Sequence, residues 1–245
     1  MEWGCITVPA GLDRYEFTEL VTCELDALRQ RHCTQGQQTR WKVGVEDYMR
    51  RWVGPRRNIF ALAEANIATS LACFQLFGVA PLSVHPSTAR TDIGLASAVA
   101  TAASTGPRAP KAGASAIKQR VLSFVSQRMP AGYEWPKGGQ SSRAAIYDVA
   151  DAYVIAAYTA LAHRRASALA EQAEAVKTAE TAYFVTKRYL THMERAKQRG
   201  GAAAVREYQD SVRKRIRQKF YRDEDERFHV DALRASKNTS GAVGA

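Results

Sequence analysis

Two aspartates stand three positions apart, Asp148 and Asp151, in the stretch YDVADAYVIA at 147–156, and Glu46 lies near the end of the β-prone run WKVGVEDY. Carboxylates from separate elements suit one chemistry in particular. Phosphodiester cleavage with two Mg²⁺ ions needs several hard oxygen ligands converging on the metals, which stabilise the attacking and leaving oxygens together. The same DxxD has a plainer reading: aspartate is a preferred N-cap and is favourable in a first helical turn, so the pair could simply open the apolar helix that follows. The residues alone leave both readings open.

The surrounding elements must place these acids. WGCITV at 3–8 is β-prone and ends at PAG, and Phe17, Leu20, Val21, Leu25 and Leu28 recur at helical spacing to about His32. The polar loop QGQQTR leads to the β-prone run carrying Glu46. A basic turn, RRWVGPRRN, then opens a helix from about Ile59 to Phe77, Gly78 stops it, and PLSVHP reads as another short strand. Residues 94–116 are rich in small residues and read as a loop, residues 117–127 as a helix with Val121, Leu122 and Val125 on one face, and PAGYEWPKGGQSSR as a second loop. The helix opened by Asp148 follows. Strands alternating with helices predict an α/β domain over 1–163.

Beyond His163 alanine and charged residues dominate, and two helices are expected, about 164–198 and 202–221, parted by Gly200 and Gly201. Between 187 and 222 there are twelve Lys or Arg (187, 188, 195, 197, 199, 206, 213, 214, 215, 217, 219, 222) against three acids (194, 207, 210), a net of +9. Residues 164–245 thus form a basic helical extension, ending in ASKNTSGAVGA, which has the composition of a disordered tail.

The whole chain of 245 residues carries +11 with a pI near 9.7, which favours a polyanionic partner. Cys5, Cys23, Cys33 and Cys73 show no CxxC pair and no zinc spacing with histidine, so free thiols are expected. Glu64, Asn66 and Gln75 interrupt the most apolar stretch, 59–84, and argue against a transmembrane segment. An acidic amino terminus (Glu2, Asp13, Glu16, Glu19, Glu24) does not read as a signal or transit peptide.

The order of these motifs resembles the RuvC-type Holliday junction resolvases of the RNase H-like superfamily over roughly 3–162. GCITV resembles that family's third strand and VGVED the strand carrying its catalytic glutamate, here Glu46. RRNIFALAEANIATSLACFQLFGVAPLSVHPSTAR looks like the next helix and strand, ending where a basic residue follows a proline, here Pro86 and Arg90. GASAIKQRV matches the family's lysine motif at Lys118, and YDVADAYVIA its terminal DxxDA helix at Asp148 and Asp151. The resemblance implies an RNase H-like mixed sheet flanked by helices, with a long α-helical C-terminal extension. It also implies Mg²⁺ held by Glu46, Asp148 and Asp151 in an active member. The family's first catalytic aspartate lies ahead of the segment that GCITV resembles and has no counterpart here, so an incomplete, catalytically impaired site is expected.

The basic positions fit a phosphate-bearing partner. Arg50, Arg51, Arg56 and Arg57 cluster with Trp52 directly after Glu46, Arg90 and Lys118 would extend that face along with Arg108 and Lys111, and VRKRIRQKFYR supplies Arg213, Lys214, Arg215, Arg217 and Lys219. His85, His163 and His192 have no spacing that suggests catalysis. The expectation is therefore a nucleic-acid-binding or architectural subunit of a larger complex with protein partners, binding structured RNA or branched DNA; a mitochondrial ribonucleoprotein such as the mitoribosome is the best fit. An active Mg²⁺-dependent structure-specific endonuclease is the first alternative. A structural subunit of a mitochondrial membrane-associated complex is the second.

Overall fold

The computed structural model describes residues 11–33, 40–47, 59–95, 114–129, 133–135 and 140–240. The chain forms two compact units, Met1–Ala160 with Ala235–Ala245, and Leu161–Arg234. Among the described residues the protein is mostly helical: seven helices and one pair of three-residue strands. This overturns the expected RNase H-like mixed sheet. Short apolar runs flanked by turns read alike as strands or as the ends of helices, and only two of them pair here. The β-prone WGCITV lies outside the described residues.

In the first unit, α1 (Arg14–His32) begins with a capping box: Asp13 accepts from the main-chain N–H of Tyr15 and Glu16, and Glu16 accepts in return from the N–H of Asp13 at 2.8 Å. β1 (Gly44–Glu46) follows, then α2 (Ile59–Phe77), on the bounds its apolar pattern predicts. Gly78 ends α2 with φ +66°, and its N–H donates to Phe74 at 3.0 Å, a left-handed termination that glycine tolerates without strain. Trp41 packs on Phe77 at the same end, with ring centroids 4.7 Å apart.

β2 (Leu82–Val84) runs parallel to β1 in the register Gly44 to Leu82, Val45 to Ser83 and Glu46 to Val84. A short helix, α3 (Pro86–Asp92), starts at once, capped by the His85 imidazole and with proline at its first position. α4 (Ala114–Ser126) follows, and α5 (Gln140–Glu171) belongs to this unit up to Ala160. Its core collects Val21, Ala72, Cys73, Val84, Ala89, Val121, Val125, Val154 and Ile155.

α5 starts at Gln140, about two turns before Asp148 at 3.6 residues per turn, so neither aspartate caps it. Ala145–Glu171 is the one segment among the described residues with the length and hydropathy of a membrane span. A third of that window is buried, with Val149, Ala150, Val154 and Ile155 in the protein core, as in a core helix.

In the second unit the helix expected over 164–198 is broken twice. After α5 comes α6 (Ala173–Phe184), and then α7 (Lys187–Ser240). Thr186 makes the second break, accepting from the Tyr189 N–H at 3.2 Å as the N-cap of α7. Gly200 and Gly201 interrupt α7, and Gly201, at φ +61° and ψ −146°, occupies a region essentially reserved for glycine. The halves fold back on each other: Tyr189 stacks on Tyr208 at 5.7 Å and shares a core with Val212 and Ile216. The second half extends past the expected end at 221, through the start of the polar tail, to Ser240.

Candidate functional site

One close approach sets the geometry. A Cβ at Gly44 would run into Thr159 Oγ1 and stand 3.1 Å from Thr159 Cβ and 3.3 Å from Ile155 Cγ2, so β1 lies directly against α5. Thr159 is buried, and its hydroxyl donates to the Ile155 carbonyl at 2.8 Å. Residues two apart on a strand share a face, and residues four apart on a helix share a stripe. With Gly44 against Ile155 and Thr159, Glu46 therefore faces the preceding turns, which carry Asp148 and Asp151. Asn66 of α2 fixes the strand end by donating to the Glu46 carbonyl.

The partners come from α3 and α4. Arg90 reaches across to α5 and donates through Nη2 to both carboxylate oxygens of Asp151, each at 2.7 Å, with both side chains about a fifth exposed. Arg90 Nε is buried without a hydrogen-bond partner. Lys118 of α4 is exposed, its ammonium 5.1 Å from the centre of the Tyr147 ring, and α4 is tied to the segment after α3 by Arg120, which donates to the Leu95 carbonyl at 3.1 Å. Glu46, Asp148, Asp151, Arg90 and Lys118, five residues expected to act together, are thus neighbours in one region.

The crowding has an electrostatic consequence. Partial burial pushes the Glu46 carboxyl above its usual range, the Asp151 and Asp148 charges push the same way, and Arg90 and His85 oppose them. Asp148 is also raised, by desolvation first and then by Asp151, with Lys118 opposing. Glu46 and Asp148 keep solvent-exposed faces, so only part of their hydration is lost. Of the three acids, Asp151 alone has a full counter-ion.

That pairing bears on metal binding in this arrangement. Mg²⁺ requires near-octahedral oxygen donors, yet both oxygens of Asp151 are engaged by a guanidinium. No set of three or more His, Cys, Asp or Glu among the described residues has the geometry to hold a metal ion. In this arrangement the cation that Asp151 binds is Arg90, and a metal ion at these carboxylates would have to displace it.

Two residues here escaped the sequence reading. His85 caps α3 and bears electrostatically on Glu46, and its signal was present in HPST, a polar cap residue followed by proline. Asn66 has no such signal, because its role depends on a strand twenty positions away. Arg50, Arg51, Arg56, Arg57, Trp52, Arg108 and Lys111 lie outside the described residues.

The basic positions of α7 divide into two groups. Arg217 pairs with Glu180 of α6 at 2.8 Å, and Arg213 with Asp210 at 3.7 Å and Glu180 at 4.0 Å, lying also 5.6 Å from the centre of the Phe184 ring. Lys214, Arg215 and Lys219 are exposed and have no acidic partner among the described residues. The same holds for Lys187, Arg188, Arg195, Lys197, Arg199 and Arg206. No protein-family model, curated protein or solved structure matches the chain.

Proposed function

We propose that this protein is a nucleic-acid-binding, architectural subunit of a larger ribonucleoprotein, and the mitoribosome is the assembly proposed. One observation carries the reading: nine exposed Lys and Arg between 187 and 219 (187, 188, 195, 197, 199, 206, 214, 215, 219) lack acidic partners among the described residues, on a helix whose core side is formed by Tyr189, Val212 and Ile216. Cations that hold no part of the protein together are available to phosphates. In this reading the Arg90–Asp151 pair joins α3 to α5, and no cofactor is required.

The test is retention of a structured RNA by the intact protein. Lys214→Glu, Arg215→Glu and Lys219→Glu combined should weaken binding with little change in thermal stability. Arg217→Ala should instead lower stability, because it releases Glu180. Equal RNA affinity in the triple variant and the wild type would sink the proposal. The gathering of Glu46, Asp148 and Asp151 favours a second reading, a Mg²⁺-dependent endonuclease for branched DNA. Cleavage of a four-way junction that Asp148→Asn abolishes would put that reading first.

A further inference from the structure

In the first unit, α2 carries one charged residue in nineteen, Glu64, and buries Ala72 and Cys73. A second face does not join that core. Ile67, Leu71 and Phe74, at i, i+4 and i+7, are 59%, 51% and 54% exposed and form a single stripe. Beside it Tyr15 of α1 is 75% exposed, and between the two helices lies a groove of about 370 Å³ with Leu12, Phe17 and Ala68 in its walls. An exposed apolar stripe beside an apolar groove is the form of a helix-binding surface.

Charge selects the occupant. Asp13 and Glu64 line the groove, Glu16 and Glu19 are exposed on α1 alongside it, and the one cation among the lining residues, Arg14, sits 5.9 Å from the centre of the Tyr15 ring. In a chain of net charge +11 this face is locally acidic. A nucleic acid has the wrong sign for it. A second copy using the same patch would set these carboxylates against themselves across the twofold axis. The chain's own basic helix α7 buries its apolar stripe in Tyr189, Val212 and Ile216.

We infer that the α1–α2 face docks an amphipathic helix of a partner protein, with an apolar ridge seated on Ile67, Leu71 and Phe74 and with Lys or Arg flanks facing Glu19 and Glu64. None of these residues is among those proposed to bind RNA, so either proposal can fail without the other.

The probe is a synthetic amphipathic helix with leucines at i, i+3, i+4 and i+7 and lysine flanks, titrated by fluorescence anisotropy against the full-length protein at physiological salt. Leu71→Ser with Phe74→Ser should weaken binding by about tenfold or more, as loss of a central apolar contact does. Glu19→Lys with Glu64→Lys, which leaves the apolar stripe intact, should also weaken it and steepen the discrimination against lysine-flanked peptide. Circular dichroism should show helix content unchanged in both, since all four side chains are exposed. RNA retention should stay at the wild-type level. Equal peptide affinity across the three proteins would overturn the inference, as would a concentration-dependent dimer in sedimentation that Leu71→Ser with Phe74→Ser abolishes.

Discussion

Arg90 pairs with Asp151, one of the three carboxylates that the resemblance assigns to a metal ion. Hydrogen bonds between two charged groups are stronger than neutral ones, and here a single guanidinium nitrogen of Arg90 joins α3 to α5 across 61 positions of chain. Removing it strands a carboxylate, four-fifths covered, among two other acids. Arg90→Met should therefore cost about 2 kcal/mol, the cost of breaking a buried pair discounted for its remaining exposure. Arg90→Met with Asp151→Asn should recover much of that in urea unfolding, because the stranded charge is gone. Glu46 and Asp148 behave in the opposite sense. Their folded-state pKa values are raised, so between the ordinary carboxylate range and the raised values the folded protein binds more protons than the unfolded chain. Stability is thus lost, from this source, as pH rises through that window. Glu46→Gln should raise the melting temperature at pH 7 and reduce the gain seen on moving to pH 4; a lower melting temperature at pH 7 would show that the carboxylate is held by a partner.

At the scale of elements, a glycine sets the distance between β1 and α5. Any side chain at position 44 meets Thr159, and overpacking of this kind typically costs about 1–3 kcal/mol. Gly44→Ala should destabilise by that amount and move Glu46 away from Asp148 and Asp151. Thr159→Ala in the same chain should restore part of the loss by removing the hydroxyl, visible as a coupling energy in a double-mutant cycle. A Gly44→Ala protein as stable as the wild type would mean that β1 does not rest on α5. The sequence legibility of elements follows the same physics. α2 was readable because its apolar run is long and ends at a glycine, and α1 because its apolar residues recur at helical spacing. The start of α5 was not: QSSRAAI lacks the apolar periodicity that marks a helix, so Asp148 looked like a beginning when it is an interior position. The breaks at Gln172 and Thr186 were equally hidden, since alanine-rich sequence on either side favours uninterrupted helix.

For the molecule as a whole, both units are net positive, and they differ in how the charge is laid out on particular faces. The first unit presents an acidic, apolar face on α1 and α2, and the second carries the unpaired cations of α7. Binding to RNA through those cations releases counter-ions, so log K should fall linearly with log salt. Lys214→Ala, Arg215→Ala and Lys219→Ala together should reduce the slope by about two, at roughly 0.7 per phosphate contact. An unchanged slope would assign RNA contact to other residues.

The sequence by itself determined the charge, the basic character of the extension, the long helices, and the list of acids and bases worth following: Glu46, Asp148, Asp151, Arg90 and Lys118. These depend on composition and local periodicity, which need no partner to be read. Only the tertiary structure decided how those groups pair. It put Arg90 on Asp151, took Asp148 out of the cap position, paired Arg217 with Glu180, and left two paired strands where a mixed sheet was expected. Each of those outcomes rests on contacts between residues far apart in the chain, and the free energy of such contacts comes from burial and proximity that local sequence does not encode.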